Sequence, residues 1–323
     1  MRTIALHGDK MTQSPQQTAA KILEKLNSVL LDKPEVTKAL LAGWLAGGHI
    51  LIEDIPGVGK TTLAKAFAII MGLSFGRIQF TPDLMPSDIT GSTILDPEKK
   101  NFIFRKGPVF HEVILADEIN RSSPKTQSSL LQAMEERQVS IDDTTYDLPE
   151  NFMVIATQNP VEYHGTFPLP EAQLDRFIMR LAIGYPSYEK EMDIAGNLKT
   201  SMQDLSPLLD AVERTALRNA AAAITTNREI LQYAVNIVSA TRNNSDFLLG
   251  ASPRASIDLV KTGTAMAFLS GRDYVIPDDL KAVASLVLSH RLILSAEARM
   301  GKRSAESLVQ DLLNRTYVPK YAE

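Results

Sequence analysis

The chain contains no cysteine among its 323 residues. This excludes disulfides, thiolate metal sites and a cysteine nucleophile. Aromatic residues are also few, at 6%, and the one tryptophan, Trp44, falls in an apolar helical stretch that favours a packing role. The five histidines include no pair with the H-E-x-x-H spacing of a zinc site. The chemistry of this chain must therefore rest on other residue types.

Long hydrophobic runs and an excess of basic residues are missing too. The longest uncharged run, Ala39–Ile52, is about 14 residues, whereas a membrane span needs about 20. The N-terminus has no long apolar segment of the kind found in secretory signals. Lys and Arg total 34 against 38 for Asp and Glu, a net charge of −4, which disfavours a dedicated nucleic-acid module. We expect a soluble cytoplasmic protein without membrane insertion.

The length suggests about two domains, and the texture of the sequence changes once along the chain. The first part alternates helical stretches with short apolar runs, a pattern typical of an α/β fold whose parallel sheet is covered on both faces. From residue 187 onward the periodicity is helical. We predict a flexible tail over 1–17, an α/β nucleotide-binding core over 18–186 and a smaller all-α domain over 187–323. The strand candidates are His49–Ile52, Arg77–Phe80, Val113–Ala116, Met153–Thr157 and Phe177–Ile183.

A glycine-rich loop follows the first of these strands and opens a helix, the context that a phosphate-binding P-loop requires. Glycines let backbone N–H groups turn toward phosphate oxygens, and the helix N-terminus adds partial positive charge. Lys60 can reach the β- and γ-phosphates of ATP, and the Thr61 hydroxyl can bind Mg²⁺. Asp54 departs from the motif, which has glycine there. The residues expected to contact the nucleotide are Pro56, Gly57, Val58, Gly59, Lys60, Thr61 and Thr62.

Two carboxylates end another apolar strand, Val113–Ala116. In a P-loop sheet this strand end opens toward the phosphates, so Asp117 is expected to bind Mg²⁺ and Glu118 to polarise the attacking water. Asn159 follows a further apolar strand and can sense the γ-phosphate. On its own, its Asn-Pro sequence indicates only a turn.

Together these segments resemble the AAA+ ATPases and, within them, the MoxR family. The resemblance covers about residues 26 to 292, and Asp54 in place of glycine looks normal for this family. The segments that carry it are Gly107–Phe110, Leu115–Arg121, Pro124–Gln127, Leu130–Glu136, Ala156–Pro160 and Glu171–Phe177.

The resemblance implies roles for two arginines. Arg254 is similar to the sensor 2 arginine, which reaches from the helical lid domain to the γ-phosphate. We therefore expect Arg254 to be both a catalytic and a nucleotide-binding residue. Arg176 is similar to the arginine finger that acts on a neighbouring subunit, and Arg121 is a weaker candidate for such a role. Spacing alone allows a structural role for each of the first two. The resemblance also identifies two inserts, Phe80–Gly107 and a hairpin over Gln138–Asn151.

The resemblance implies a MoxR-type ATPase with ATP and Mg²⁺ as cofactors. We expect it to assemble as a homo-oligomer, specifically a hexamer. It would remodel, assemble or activate a protein client together with a partner that carries a von Willebrand factor A domain. Three alternatives remain open at this point. They are a DNA-acting motor or helicase component, a magnesium-chelatase-like subunit, and a scaffold that binds ATP without turnover.

Overall fold

The computed structural model describes residues 14–98, 100–160, 165–196 and 202–319. Most of the predicted tail, residues 1–13, lies outside this range. The first helix begins at Pro15, three residues before the predicted start of the core at residue 18, because Ser14 caps it. The Ser14 side chain accepts the Gln17 N–H, the Gln17 side chain returns to the Ser14 N–H, and proline suits the first helical position.

The core follows the predicted alternation of helices and strands. Its helices are α1 (Pro15–Val29), α2 (Pro34–Leu45), α3 (Lys60–Met71), α4 (Pro86–Thr90), α5 (Pro124–Glu136) and α6 (Glu171–Leu174). Its strands are β1 (His49–Glu53), β2 (Phe75–Gln79), β3 (Gly91–Asp96), β4 (Asn101–Lys106), β5 (Val113–Asp117), β6 (Gln138–Ile141), β7 (Thr144–Asp147), β8 (Met153–Gln158) and β9 (Phe177–Leu181).

Five of these strands form one parallel sheet in the order β2-β5-β8-β1-β9. Alternate residues of β1 enter different apolar clusters: Ile50 and Ile52 pack with α1 to α3, whereas Leu51 packs with α5. All three are fully buried, and each such side chain contributes about 1.5–3 kcal/mol to folding. Helices therefore cover both faces, as predicted, and only the strand ends are left to build a site.

Two antiparallel hairpins project from the core. One pairs β3 with β4 inside the insert that follows Phe80, and the other pairs β6 with β7, as predicted for residues 138–151. The Thr93 hydroxyl donates to the Asp142 carboxylate at 2.8 Å, and the Phe104 and Tyr146 rings stack with centroids 4.5 Å apart. The two hairpins are thus joined to each other.

The second part of the chain is almost wholly helical. Its helices are α7 (Tyr188–Ala195), α8 (Ala211–Ala222), α9 (Arg228–Arg242), α10 (Pro253–Leu269), α11 (Pro277–Leu288), α12 (Ala296–Met300) and α13 (Ala305–Arg315). An antiparallel pair, β10 (Phe247–Leu249) with β11 (Ile293–Leu294), departs from the all-helical expectation. Strands of two and three residues are too short to give a periodic signal in the sequence.

A buried arginine ties this helical domain to the core. The Arg291 guanidinium lies 2.9 Å from an Asp175 carboxylate oxygen in the core and 2.6 Å from one of Asp258 in α10. It also donates to the Phe177 carbonyl at the start of β9. None of the helices described is long and apolar enough to cross a membrane.

Candidate nucleotide site

The site lies where the central strands end. Pairing of β2 with β5 sets Gln79 opposite Asp117, and pairing of β1 with β8 sets Glu53 opposite Gln158. Because the strands are parallel, their C-terminal residues share one edge of the sheet, which we call the carboxyl edge. The opposite edge, where His49 begins β1, is the amino edge. The P-loop follows Glu53 and therefore starts at the carboxyl edge.

The P-loop has the backbone that phosphate binding requires. Gly57 and Gly59 have φ angles of +85° and +92°, a region that residues with a Cβ rarely adopt. Gly59 precedes α3 directly, so the unpaired N–H groups of the first turn face the loop. Thr61 and Thr62 lie in that turn and are half-buried.

Lys60 is close enough to several acidic residues to interact with their charges. Its ammonium group donates to the Asp54 carbonyl. Burial lowers the pKa of Lys60, and the carboxylates of Asp54, Asp117 and Glu118 act in the opposite direction. The lysine and the two carboxylates after β5 thus share one electrostatic environment.

Asp54, the departure from the P-loop pattern, has a clear structural role. Its buried carboxylate accepts the N–H groups of Ile183 and Gly184 at 2.6 Å each, and that of Ile55 at 2.8 Å. Glycine could make none of these contacts. The aspartate ties the first residue of the P-loop to the segment that leads from β9 into the helical domain.

The carboxylate of Asp117 has two partners. The Thr157 hydroxyl donates to Oδ1 at 2.7 Å, and the Arg77 guanidinium lies 2.7 Å from Oδ2. Thr157 also accepts the backbone N–H of Glu118 at 2.9 Å. One threonine in β8 therefore contacts both acidic residues at the end of β5, Asp117 and Glu118.

Glu118 lies in the left-handed backbone region, with φ of +58°. Its Oε2 atom accepts the Gln79 amide N–H at 2.8 Å and pairs with Arg121 at 3.0 Å. The Arg77 guanidinium in turn donates to Gln79 Oε1 at 2.7 Å. Arg121, the weaker candidate from the sequence, thus contacts the predicted catalytic carboxylate.

A cavity of about 430 Å³ adjoins the P-loop. It is lined by Leu30 and Lys33 after α1, by Pro56 and Val58 of the loop, and by Tyr185 at the entry to the helical domain. An apolar cavity beside a phosphate-binding loop suits a nucleotide base. A larger cavity, about 590 Å³, lies between the two domains at the amino edge, but it contains none of the predicted nucleotide-binding residues.

Thr61 and Asp117 fit a magnesium ion that arrives with a nucleotide. Both offer oxygen atoms, the ligands that Mg²⁺ prefers, and the ion keeps most of its remaining positions for phosphates and water. In the described parts of the chain, no group of three or more His, Cys, Asp or Glu could hold a metal by itself. Arg77 pairs with Asp117, so a metal ion bound there would compete with this arginine for the carboxylate.

Arg176 and Arg254 lie away from the P-loop. Arg176 pairs with Glu135 Oε2 at 2.8 Å, and Arg254 lies 3.6 Å from Oε1 of the same carboxylate. Glu135 is in the last turn of α5, next to Met134, whose carbonyl contacts the His49 ring at the amino edge. The structure therefore brings the two arginines to each other and not to Lys60.

Asn159 is buried and directly follows β8 at the carboxyl edge. In the sheet, β8 lies between β5, which ends in Asp117, and β1, which leads into the P-loop. Sequence reasoning missed Arg77, Gln79 and Thr157, which contact the two acidic residues. A signal existed for the first two, since Arg77 and Gln79 are polar residues at alternate positions in a strand that was predicted to be buried.

Comparison with known proteins agrees with this geometry. Residues 49–179 match the model of the ATPase family associated with various cellular activities (AAA), and residues 239–312 match an AAA lid domain. The chain is thus an AAA+ ATPase, with a nucleotide-binding core and a helical lid.

Relatives that match nearly the full length of this chain identify its family within the AAA+ ATPases. The chain is 46% identical to an uncharacterised protein, YeaC, of Bacillus subtilis, covering 93% of this chain and 94% of that one. It is 38% identical to the chaperone MoxR1 of Mycobacterium tuberculosis, covering 94% and 83%. A crystal structure of a putative ATPase from Cytophaga hutchinsonii superimposes with a TM-score of 0.88 at 40% identity, covering 95% and 96%. The chain belongs to the MoxR family of AAA+ ATPases.

Proposed function

We propose that this protein hydrolyses ATP with Mg²⁺ and uses the energy to remodel, assemble or activate a protein client. The observation that carries the proposal is the shared environment of Lys60, Asp117 and Glu118 beside a glycine loop at a helix N-terminus. Phosphoryl transfer needs mainly positioning and electrostatic stabilisation, and these groups supply both. Retention of both carboxylates favours turnover over a scaffold that only binds ATP.

Each of the site residues then contacts the bound ATP, its metal ion or the attacking water. Lys60 leaves the Asp54 carbonyl and contacts the β- and γ-phosphates, while backbone N–H groups from Gly57 to Thr61 surround the other oxygens. Thr61 and Asp117 bind the magnesium ion, which would offset phosphate charge. Glu118 orients the attacking water, and Asn159 contacts the γ-phosphate from the neighbouring strand. The base occupies the cavity between the P-loop and Tyr185.

The arginines require a second subunit. Arg176 and Arg254 share Glu135 at the amino edge, whereas the P-loop is at the carboxyl edge. We therefore assign both to the nucleotide of the adjacent subunit in a ring, which we propose to be a hexamer. For Arg254 this replaces action on the γ-phosphate of its own chain. Glu135 holds both guanidinium groups until a neighbour's phosphates compete for them.

The family resemblance extends the proposal to partners. We propose a von Willebrand factor A domain protein as the partner that presents the client. The two joined hairpins offer an exposed surface for such contacts, with Phe102 74% exposed and Leu95 55% exposed.

An ATPase assay on the purified protein tests the proposal. We expect Mg²⁺-dependent hydrolysis that Glu118→Gln abolishes, with ATP still bound. Glu136→Gln, an exposed carboxylate at the end of α5, is the matched control and should leave the rate unchanged. Absence of any hydrolysis sensitive to Glu118→Gln would refute the proposal, and an increase in rate with DNA would favour the DNA-acting alternative instead. The same Glu118→Gln protein should retain the client in affinity capture.

A further inference from the structure

The larger cavity, of about 590 Å³, lies between the core and the lid domain. Its walls come from the end of α2, the residue after α5, the segment before β8, and the lid helices α8 and α10. These core segments all lie at the amino edge, so the cavity is remote from the P-loop. Its volume falls in the range of small-molecule sites, about 300–1,000 Å³.

Two guanidinium groups line this cavity and share an acceptor, the Glu150 carbonyl. Arg137 of the core donates to the Gly47 carbonyl at 2.9 Å and to the Glu150 carbonyl at 3.3 Å. Arg218 of α8 donates to the same Glu150 carbonyl at 3.4 Å and to the Asn151 side-chain oxygen at 3.3 Å. Three of these four contacts are longer than the usual 2.9–3.0 Å or so. Every acceptor is neutral, so each arginine would bind an anion more strongly.

The charges around the cavity are poorly balanced. Among the residues that the structure describes, no carboxylate forms an ion pair with Arg137 or Arg218. Both side chains are half-buried, where repulsion between like charges is stronger than in water. Burial lowers the pKa of Arg218, and the nearby Arg137 lowers it further, against the opposing effect of Glu150. An anion between the two arginines would remove this repulsion.

The remaining walls suit a ligand with a polar end and a less polar body. Lys261 of α10 and Asn219 of α8 add N–H donors on the lid side, and Leu45 and Ile224 add apolar surface. The Arg218 guanidinium lies 5.6 Å from the centre of the Trp44 ring, a cation–π contact that helps to fix its orientation. Planar, fixed guanidinium groups are well matched to phosphate oxygens.

We propose that this cavity binds a small phosphate-bearing ligand, whose oxygens contact Arg137 and Arg218 together. Because Arg137 belongs to the core and Arg218 to the lid, the ligand holds the two domains in one relative position. The site is separate from the ATP site and uses none of its residues.

Isothermal titration calorimetry with inorganic pyrophosphate tests the proposal in a Lys60→Ala background, which disables the P-loop. We expect pyrophosphate binding to persist in Lys60→Ala protein. Adding Arg218→Met or Arg137→Met should weaken it at least tenfold, because each change removes charge-assisted hydrogen bonds. Arg228→Met, an exposed arginine at the start of α9, is the matched control and should change nothing.

One further variant keeps the test decisive. Arg218→Lys retains the charge but loses the planar fork, so it should bind with intermediate affinity even if Arg218→Met fails to fold. Circular dichroism establishes folding for each variant. The proposal is overturned if Lys60→Ala alone abolishes pyrophosphate binding, or if folded Arg137 and Arg218 variants bind within twofold of their parent. Titrations with inorganic phosphate and AMP then distinguish a free phosphate from a ligand with an organic body.

Discussion

The two edges of the central sheet carry opposite chemistry. At the carboxyl edge a lysine faces two carboxylates, whereas at the amino edge arginines face carbonyl groups and a single shared glutamate. The four steps of β1 alone separate the edges by about 13 Å, and Arg176 and Arg254 pair with Glu135 rather than with a group beside the P-loop. In the ring that we propose, the amino edge of one subunit supplies arginines to the nucleotide at the carboxyl edge of its neighbour.

The largest expected effect comes from removing an arginine at the amino edge. Arg176→Ala should lower ATP turnover about a thousandfold or more, since an arginine finger contributes about 10³–10⁵ in rate. ATP binding should change little, and an Arg105→Ala control in β4 should behave as wild type. The measurement is steady-state hydrolysis in parallel with nucleotide binding.

Mixing of variants decides whether the arginine acts between subunits. Arg176→Ala subunits retain an intact carboxyl edge, and Glu118→Gln subunits retain an intact amino edge. Mixed rings should therefore recover part of the activity that each variant lacks. If no ratio of the two variants restores hydrolysis, Arg176 does not act on a neighbour.

Acid should lower the stability of the protein by protonating His49 at the amino edge. Burial lowers the pKa of His49 from 6.5 to about 4, and its Nδ1 atom accepts the Val154 N–H, which keeps the ring neutral. A depressed folded-state pKa means that stability is present near pH 7 and is lost as pH falls from about 6.5 toward 4. The loss from this one group is about 3 kcal/mol.

Urea unfolding at about pH 7 and pH 4.5 measures this loss. His49→Gln should reduce the difference in unfolding free energy between the two conditions, while His111→Gln, an exposed histidine, should leave it unchanged. Equal pH dependence in wild type and His49→Gln would show that His49 does not govern acid stability.

At the carboxyl edge, restoring the usual P-loop glycine should harm the protein. Asp54→Gly removes the acceptor of three backbone N–H groups, two of them near the start of the lid. We expect a loss of about 2 kcal/mol in unfolding free energy, because hydrogen bonds to a carboxylate are stronger than average. Asp54→Asn should lose less, since its amide oxygen retains one acceptor. Unchanged stability in Asp54→Gly would contradict the proposed tie.

The smallest effect concerns Arg77. Its guanidinium competes with Mg²⁺ for the Asp117 carboxylate, so Arg77→Met should lower the Mg²⁺ concentration needed for tight ATP binding. An ion pair exposed on one side is worth up to about 1 kcal/mol, which corresponds to about fivefold. Fluorescent-nucleotide titrations across Mg²⁺ concentrations measure the shift, with Arg105→Met as the control. An unchanged Mg²⁺ requirement would show that Arg77 does not compete with the ion.

The sequence predicted the parts of this fold that local pattern determines. The apolar runs became strands, the glycine loop was found from its spacing, and Asp117 and Glu118 came from their position after a buried run. The hairpin over residues 138–151 was also predicted, because alternating apolar residues flank a polar turn.

Contacts between distant strands could not be predicted in the same way. Gln79 meets Glu118, and Thr157 meets Asp117, only because of the pairing register, which no local pattern encodes. The location of Arg254 depends on how the lid packs against α5. The periodicity of apolar residues does not determine how distant elements pack together. The motif identifies Asp54 only as a departure from glycine, because its partners Ile183 and Gly184 lie in a distant segment after β9.

The union of the two hairpins has a mechanical consequence. Since Thr93 holds Asp142 and Phe104 stacks on Tyr146, neither projection can tilt without displacing the other. Under the proposed function, a client that pulls on Phe102 near the tip of one hairpin would therefore also load the other.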